Sequence, residues 1–219
     1  LARRVSFDIK GLSGDALVLK ALMAPPRADF AFLFSVEGSA FMGISSDPLY
    51  VRQGVKVESR AVAGGESKEH RLVGGALVEV FREFCRSYQV DCEKVTDKRK
   101  DPQALLMRVS GGLSEGVTDK EFLQALHPAP VVCGVPAEKA RVFLQQYEVF
   151  ARGWFGGPVG FFSKTRTELA VASHGCLVGA GKLHAYAGAA FVKGSDPLTL
   201  WEEAGREMKN IVNVVQGAQ

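Results

Sequence analysis

The sequence predicts an α/β protein with a largely antiparallel sheet, its helices packed on a sheet or sandwich. Three observations carry this. Residues 1–10 and 29–62 hold period-two runs (ARRVSFDI, ADFAFLFSV, SAFMGIS, YVRQGVKVESRAV) broken by Gly38, Gly43 and Gly54, the pattern of strands joined by hairpins. Residues 66–87, 136–149 and 197–215 repeat apolar side chains at helical spacing. Between the last two helices, GPVGFFS, ELAVASHGCLV and KLHAYAGAAFVKG follow one another as strand-like runs.

In chain order, LARRVSFDI opens as a strand with no cleavable signal character, as though the chain begins inside a folded unit. LSGDALVLKALMAP reads as a helix with Ser13 as its cap and a stop at Pro25. The hairpin strands follow. The helix over 66–87 has its apolar stripe at Leu72, Leu77, Val80, Phe81 and Phe84. Its Gly74-Gly75 pair costs about 2 kcal/mol of propensity relative to alanine, which predicts a packing or kink role. Strands are expected near 88–95 and 104–110, then a short helix, DKEFLQALH, closed by an HPAP turn. Residues 136–149 start on proline and carry Ala140, Phe143, Leu144 and Tyr147 on one face. Pro197 starts the final helix.

The 219 residues, 47% hydrophobic and 23% charged, suffice for a substantial core. A net charge of +3 and a pI near 8.7 are too mild to argue for nucleic acid. The one dense basic run, DKRKD at 97–101, reads as a solvated loop. No apolar run reaches the ~18 residues of a membrane span. Cys85, Cys92, Cys133 and Cys176 form neither a CxxC pair nor a zinc-ligand spacing, so reduced, buried thiols are expected.

Within ELAVASHGCLV (168–178), Ser173 and His174 interrupt an apolar strand. Adjacent strand residues point to opposite faces, so the alternation predicts that this serine and histidine cannot act together as nucleophile and base. Glycines concentrate in FGGPVG (155–160) and YAGAAFVKG (186–194), marking tight sheet corners or the close approach of another backbone or a ligand.

Four motifs in order, ALHPAPVVCGVPAEKA (125–140), FARGWFGGPVGFF (150–162), ELAVASHGCLV (168–178) and HAYAGAAFVKGSDPLTLWEE (184–203), resemble the C-terminal half of isochorismate synthases, members of the chorismate-utilising family. LARRVSF and AFMGISSDPLYV are similar to earlier family segments, so the resemblance spans nearly the whole chain. It implies one partial chorismate-binding domain over 1–219, an antiparallel β-sandwich flanked by helices and incomplete at the N-terminus. The family reaction it implies moves a hydroxyl on chorismate. A lysine base activates water, a glutamic acid protonates the departing hydroxyl, and glutamate-held Mg²⁺ binds the ring carboxylate.

Carried over residue by residue, that site is eroded. The base lysine would fall just ahead of Leu1. The general acid falls at Asp47, one methylene short and followed by Pro48. The family's EALAGT is RAVAGG here, Arg60 to Gly65. Of the metal-binding helix, Glu66 is the only counterpart to the ligand, with Glu69 and His70 matching an EH pair. A threonine of the HPT motif becomes Ala129, and the arginine that grips a substrate carboxylate becomes His174. The GAG amides become Gly188-Ala189-Ala190, beside Gly160 as a further substrate-side position. In the last helix the metal glutamate survives as Glu203, the family lysine becomes Glu207 and the first glutamate of EWEE becomes Leu200.

Losing the arginine fork costs about 1.5–3 kcal/mol of carboxylate binding, and losing a positioned acid or base costs roughly 10²–10⁴ in rate. The resemblance therefore implies a pseudoenzyme without cofactor, a structural or interaction subunit of a larger assembly, organellar or photosynthetic in setting, with a protein partner covering the incomplete fold. The alternatives are an active Mg²⁺-dependent isochorismate synthase with its base supplied from elsewhere, and a sensor that binds a small carboxylate. Compartment stays open, with a plastid as the setting that plant-type motifs suggest.

Overall fold

Alternation and turn chemistry build two antiparallel sheets in the computed structural model, which describes residues 1–9, 30–45, 47–64, 68–94 and 104–216. The expected helix over 12–25 and the DKRKD run lie outside the described residues. The chain divides into two compact units, one of Leu1–Ser46, Leu144–Gly157 and Ala172–Gln219, the other of Asp47–Phe143 and Pro158–Val171. The fold class is as expected, α/β with antiparallel sheets.

The first unit holds β1 (Ala2–Asp8), β2 (Phe30–Val36), β3 (Ser39–Ser45), β10 (His174–Gly179) and β11 (Lys182–Gly188) in the order β1-β11-β10-β3-β2. Glu37 and Gly38 turn the β2–β3 hairpin with φ of 46° and 78°, a left-handed pair that glycine adopts freely. The period of two then sorts the side chains. Ala40, Met42, Cys176, Val178, Leu183 and Ala185 form one apolar face, on which the last helix, Pro197–Gln216, packs through residues such as Ile211. The other face carries Phe41 and Tyr186. Trp154 stands edge-on to Phe41 at 5.7 Å, and Phe155 stacks on Tyr186 at 5.5 Å. Glu148, whose carboxylate is 6% exposed, accepts the Ala2 amide at 2.7 Å and a forked pair from Arg152, both at 2.6 Å, and so ties β1 to the FARG segment.

The second unit orders its strands β6-β7-β5-β4-β9-β8: β4 (Pro48–Gln53), β5 (Lys56–Gly64), β6 (Cys85–Lys94), β7 (Ala104–Leu113), β8 (Pro158–Phe162) and β9 (Arg166–Val171). Helix α1 (Lys68–Phe84) buries His70, Gly74, Leu77 and Phe81, spaced four, three and four, on one face. A Cβ on Gly74 would lie 2.5 Å from Met107 Sδ, so the glycine pair contains a packing glycine, while Gly75 opens to free space. Helix α2 (Asp119–Leu126) starts on a capping box, Thr118 with Glu121. It delivers Phe122 to the core, edge-on to Tyr50, Phe81 and Phe84 at 5.1, 5.5 and 6.1 Å. Short α3 (Pro130–Cys133) and α4 (Ala137–Tyr147) follow, the final helix being α5.

Three local readings change. HPAP is the entry to α3 rather than a plain turn, because Pro130 serves as a helix start. Strand β6 begins at Cys85, directly at the end of α1, which shortens the helix expected over 66–87. All four cysteines are free, as expected, but only Cys85 and Cys176 are buried: Cys133 is half-buried and Cys92, far along β6 from the α1 junction that covers Cys85, is exposed. Burial pushes the thiols of Cys85 and Cys176 up to about 11 and about 12, which keeps them protonated.

Candidate functional site

In the first unit the candidate residues gather where β10 begins. Strand β9 ends at Val171 and β10 starts at His174, so Ser173 lies in the break between strands. Alternation does not operate across that break. The serine Oγ and His174 Nδ1 lie 3.0 Å apart, within hydrogen-bond distance, contrary to the expectation that the pair is kept on opposite faces. Ser173 is 8% exposed, which leaves its hydroxyl little access to a substrate.

His174 pairs with Ile44 across β10 and β3, and its Nε2 lies 3.2 Å from Glu207 Oε2 on α5. This is an ion-pair separation and not an aligned hydrogen bond, since that oxygen is shielded from solvent with no donor directed at it. The remaining surfaces of the two side chains are 30% and 37% exposed. The positions at which the resemblance implies arginine and lysine thus hold a histidine and a carboxylate turned on each other. With His174 protonated the pair is neutral, and with His174 neutral it is anionic.

Glu203, one turn earlier on α5, is exposed. Gly188 ends β11 opposite Ala2, and a Cβ there would meet the Leu1 carbonyl at 3.2 Å. The Ala189 amide donates to that carbonyl at 3.0 Å, so it continues the sheet and is not directed at a ligand. Ala190 follows, half-buried beyond the strand.

In the second unit Asp47 is half-buried just before β4, and its carbonyl accepts the Val171 amide at 2.9 Å. Gly160 lies in β8 with φ of 144°, opposite Leu169. A Cβ would sit 2.0 Å from the Glu168 carbonyl oxygen, so backbone approach between β8 and β9 accounts for this glycine. Glu66 lies outside the described residues; Glu69 and His70 are on the first turn of α1. Among the described residues, which leave out Glu66, no group of three or more His, Cys, Asp or Glu converges, and Glu207, the acid nearest Glu203 in the helical repeat, is engaged with His174.

One charged cluster escaped the sequence reading. Asp119 at the start of α2 receives Arg52 Nε at 2.9 Å, Arg52 Nη2 at 2.5 Å, Tyr50 Oη at 2.9 Å and Thr167 Oγ1 at 3.1 Å. Arg52 also donates to the carbonyls of Gly54 and Ser163, both at 2.9 Å. Burial raises the Asp119 pKa, but hydrogen bonds from Arg52, Tyr50 and Thr167, with the charge of Arg52, outweigh it and hold the carboxyl below its ordinary range. Burial and the hydrogen bond to Asp119 push the Tyr50 phenol up. A cavity of ≈ 510 Å³ opens beside the cluster, walled by Val55 and Leu113 and rimmed by Arg86 and Glu115. Every nitrogen of the Arg52 guanidinium is already bonded within the protein, so the cluster is a structural brace and not a ligand clamp. No sequence signal marks it beyond Tyr50 and Arg52 sharing a strand face.

Residues 65–216 match the family model described as chorismate binding enzyme. The isochorismate synthase MenF of Bacillus subtilis is 27% identical, over 99% of this chain and 51% of that protein. A chloroplastic isochorismate synthase of Catharanthus roseus is 34% identical over 191 residues, which is 76% of this chain and 33% of that protein. Among solved structures, the menaquinone-specific isochorismate synthase MenF of Escherichia coli superposes with a TM-score of 0.81 at 21% identity, covering 98% of this chain and 55% of that one. The chain spans about half the length of the Bacillus relative and a third of the Catharanthus one.

Proposed function

The chain belongs to the chorismate-binding enzyme family, and on that premise we propose that it is a non-catalytic member: an isochorismate-synthase-like fold serving as a structural or interaction subunit beside a protein partner. The observation that carries the reading is the His174–Glu207 pair. Chorismate is a dianion, and a site for it must offer cations or amide donors to two carboxylates. Here Glu207 stands where the resemblance implies lysine, and the Ala189 amide is bonded to Leu1. A carboxylate about 4 Å from a substrate carboxylate costs roughly 4 kcal/mol at an effective dielectric near 20, on top of the lost arginine fork.

Asp47 is proposed as the remnant of the general acid, and Glu203 with Glu66 as remnants of the metal ligands. Glu203 is exposed on α5, one turn before the Glu207 that faces His174.

Calorimetric titration with chorismate, with and without Mg²⁺, tests the reading. No heat is expected up to millimolar ligand in either case, and no isochorismate should form. Saturable, Mg²⁺-dependent heat followed by turnover would overturn it in favour of an active synthase. The double variant His174→Arg/Glu207→Lys should bind chorismate more tightly than the parent, because it restores the missing positive charge.

A further inference from the structure

His174 and Glu207 stand on two firmly packed elements of the first unit. The histidine opens β10, and Gly175 after it lies so near β3 that a Cβ there would sit 2.8 Å from the Met42 carbonyl oxygen. The glutamate lies on α5 between Ala204 and Met208, both buried. Backbone packing thus fixes both sides of the 3.2 Å meeting of Nε2 with Oε2. The distance suits a hydrogen bond, but among the described residues no donor is aligned on Oε2, the histidine ring included. Ser173 Oγ lies 3.0 Å from the other ring nitrogen, Nδ1. When Nδ1–H donates to that hydroxyl, the tautomer leaves a lone pair on Nε2. A bare ring nitrogen and a carboxylate oxygen this close repel unless a cation lies between them. A proton favours the line joining the two atoms. A metal ion sits off that line, at the apex of a triangle, and two ligands at about 2.0–2.1 Å from one ion stand roughly 2.9–3.4 Å apart for angles from square to tetrahedral. The observed separation falls in that range.

We propose that His174 Nε2 and Glu207 Oε2 bind one zinc ion, which pins α5 to the start of β10. Imidazole nitrogen with carboxylate oxygen is a donor set that zinc takes. Magnesium favours a shell of oxygens and parts reluctantly with its water, so it gains little from a histidine. Ser173 is the positioning residue, its hydroxyl holding Nδ1 and with it the tautomer and the ring, as the outer partners of ligating histidines do. Two protein ligands make a site of modest affinity with water in the other positions, which sets the concentration range of the test.

Calorimetric titration of the purified chain with Zn²⁺, from micromolar to millimolar, tests this. A saturable site is expected, weakened roughly tenfold or more in His174→Ala and, separately, in Glu207→Gln. His184→Ala, which removes a histidine bonded to Ser6 on β1, should leave it unchanged. Zinc should raise the melting temperature of the parent and of His184→Ala but not of the two ligand variants, because an ion held across two elements binds only the folded chain. Melting temperatures without metal check that each variant folds. Mg²⁺ in tenfold excess should not displace the zinc. No saturable binding at millimolar Zn²⁺ overturns the proposal. Binding that His174→Ala and Glu207→Gln do not both weaken, as when thiols or other histidines take the ion, also overturns it, and so does displacement by Mg²⁺. Turnover of chorismate by this chain would defeat the functional reading above and leave this assignment standing.

Discussion

The two units treat paired charge in opposite ways. In the second, Arg52 and Asp119, with side chains 10% and 24% exposed, are held by a tyrosine, a threonine and two backbone carbonyls as well as by each other. In the first, His174 and Glu207 meet at 3.2 Å with a third of each side chain in solvent and one carboxylate oxygen given no directed donor. A charge with every lone pair and proton engaged is part of the fold, and its removal exposes the partner's desolvation. A loosely held pair can be exchanged with little effect on folding. That difference separates a pair on which the fold depends, on β4 and α2, from a pair on β10 and α5 that the fold can lose.

The largest expected effect breaks the first kind of pair. Arg52→Met should destabilise the protein by about 3–5 kcal/mol, leaving Asp119 with less compensation, measured as a shift of the urea midpoint at constant m-value. A midpoint unchanged from the parent would show that the brace contributes nothing. Next comes the backbone beside His174. A Cβ at Gly43 would lie 2.1 Å from the His174 carbonyl oxygen, so Gly43→Ala must part β3 from β10 and should cost about 1–3 kcal/mol or more. Amide exchange should accelerate first in those two strands, and uniform acceleration elsewhere would contradict the local clash.

The pH dependence is smaller and has a definite sign. The folded pKa of Asp119 is depressed, so its contribution is complete above the unfolded value near ~4 and is lost as pH falls through the native value. The slope of stability against pH below ~4 should therefore flatten in Asp119→Asn, and an identical acid limb would remove Asp119 as its source. The smallest effect is at the second kind of pair: His174→Ala should change stability by less than about 1 kcal/mol. A loss as large as that of Arg52→Met would end the comparison between the two pairs.

Much of the fold was readable because local rules and burial agree. Period two over 30–62 gives β2 to β5, the spacing of Leu77, Val80, Phe81 and Phe84 gives α1, although Leu72, read on the same stripe, is exposed and His70 is buried in its stead, and the Pro197 start gives α5. Boundaries failed where two elements meet without punctuation, as at Phe84 and Cys85, and where Pro130 could end one element or begin another. The site was legible only as a list of departures. Sequence shows that position 174 is histidine and position 207 glutamate, but not that they face each other.

By itself, then, the sequence determined the antiparallel strands, the helical faces and the family motifs, because each depends on neighbours within a few residues. Tertiary structure alone decided the pairing of His174 with Glu207, of Arg52 with Asp119, and of Ser173 with its neighbour across a strand break. The physical reason is distance. Charges separated by 33 or 67 positions along the chain come within hydrogen-bond reach only when strand register and helix packing are complete, and the sequence carries no local mark of which partner each will find.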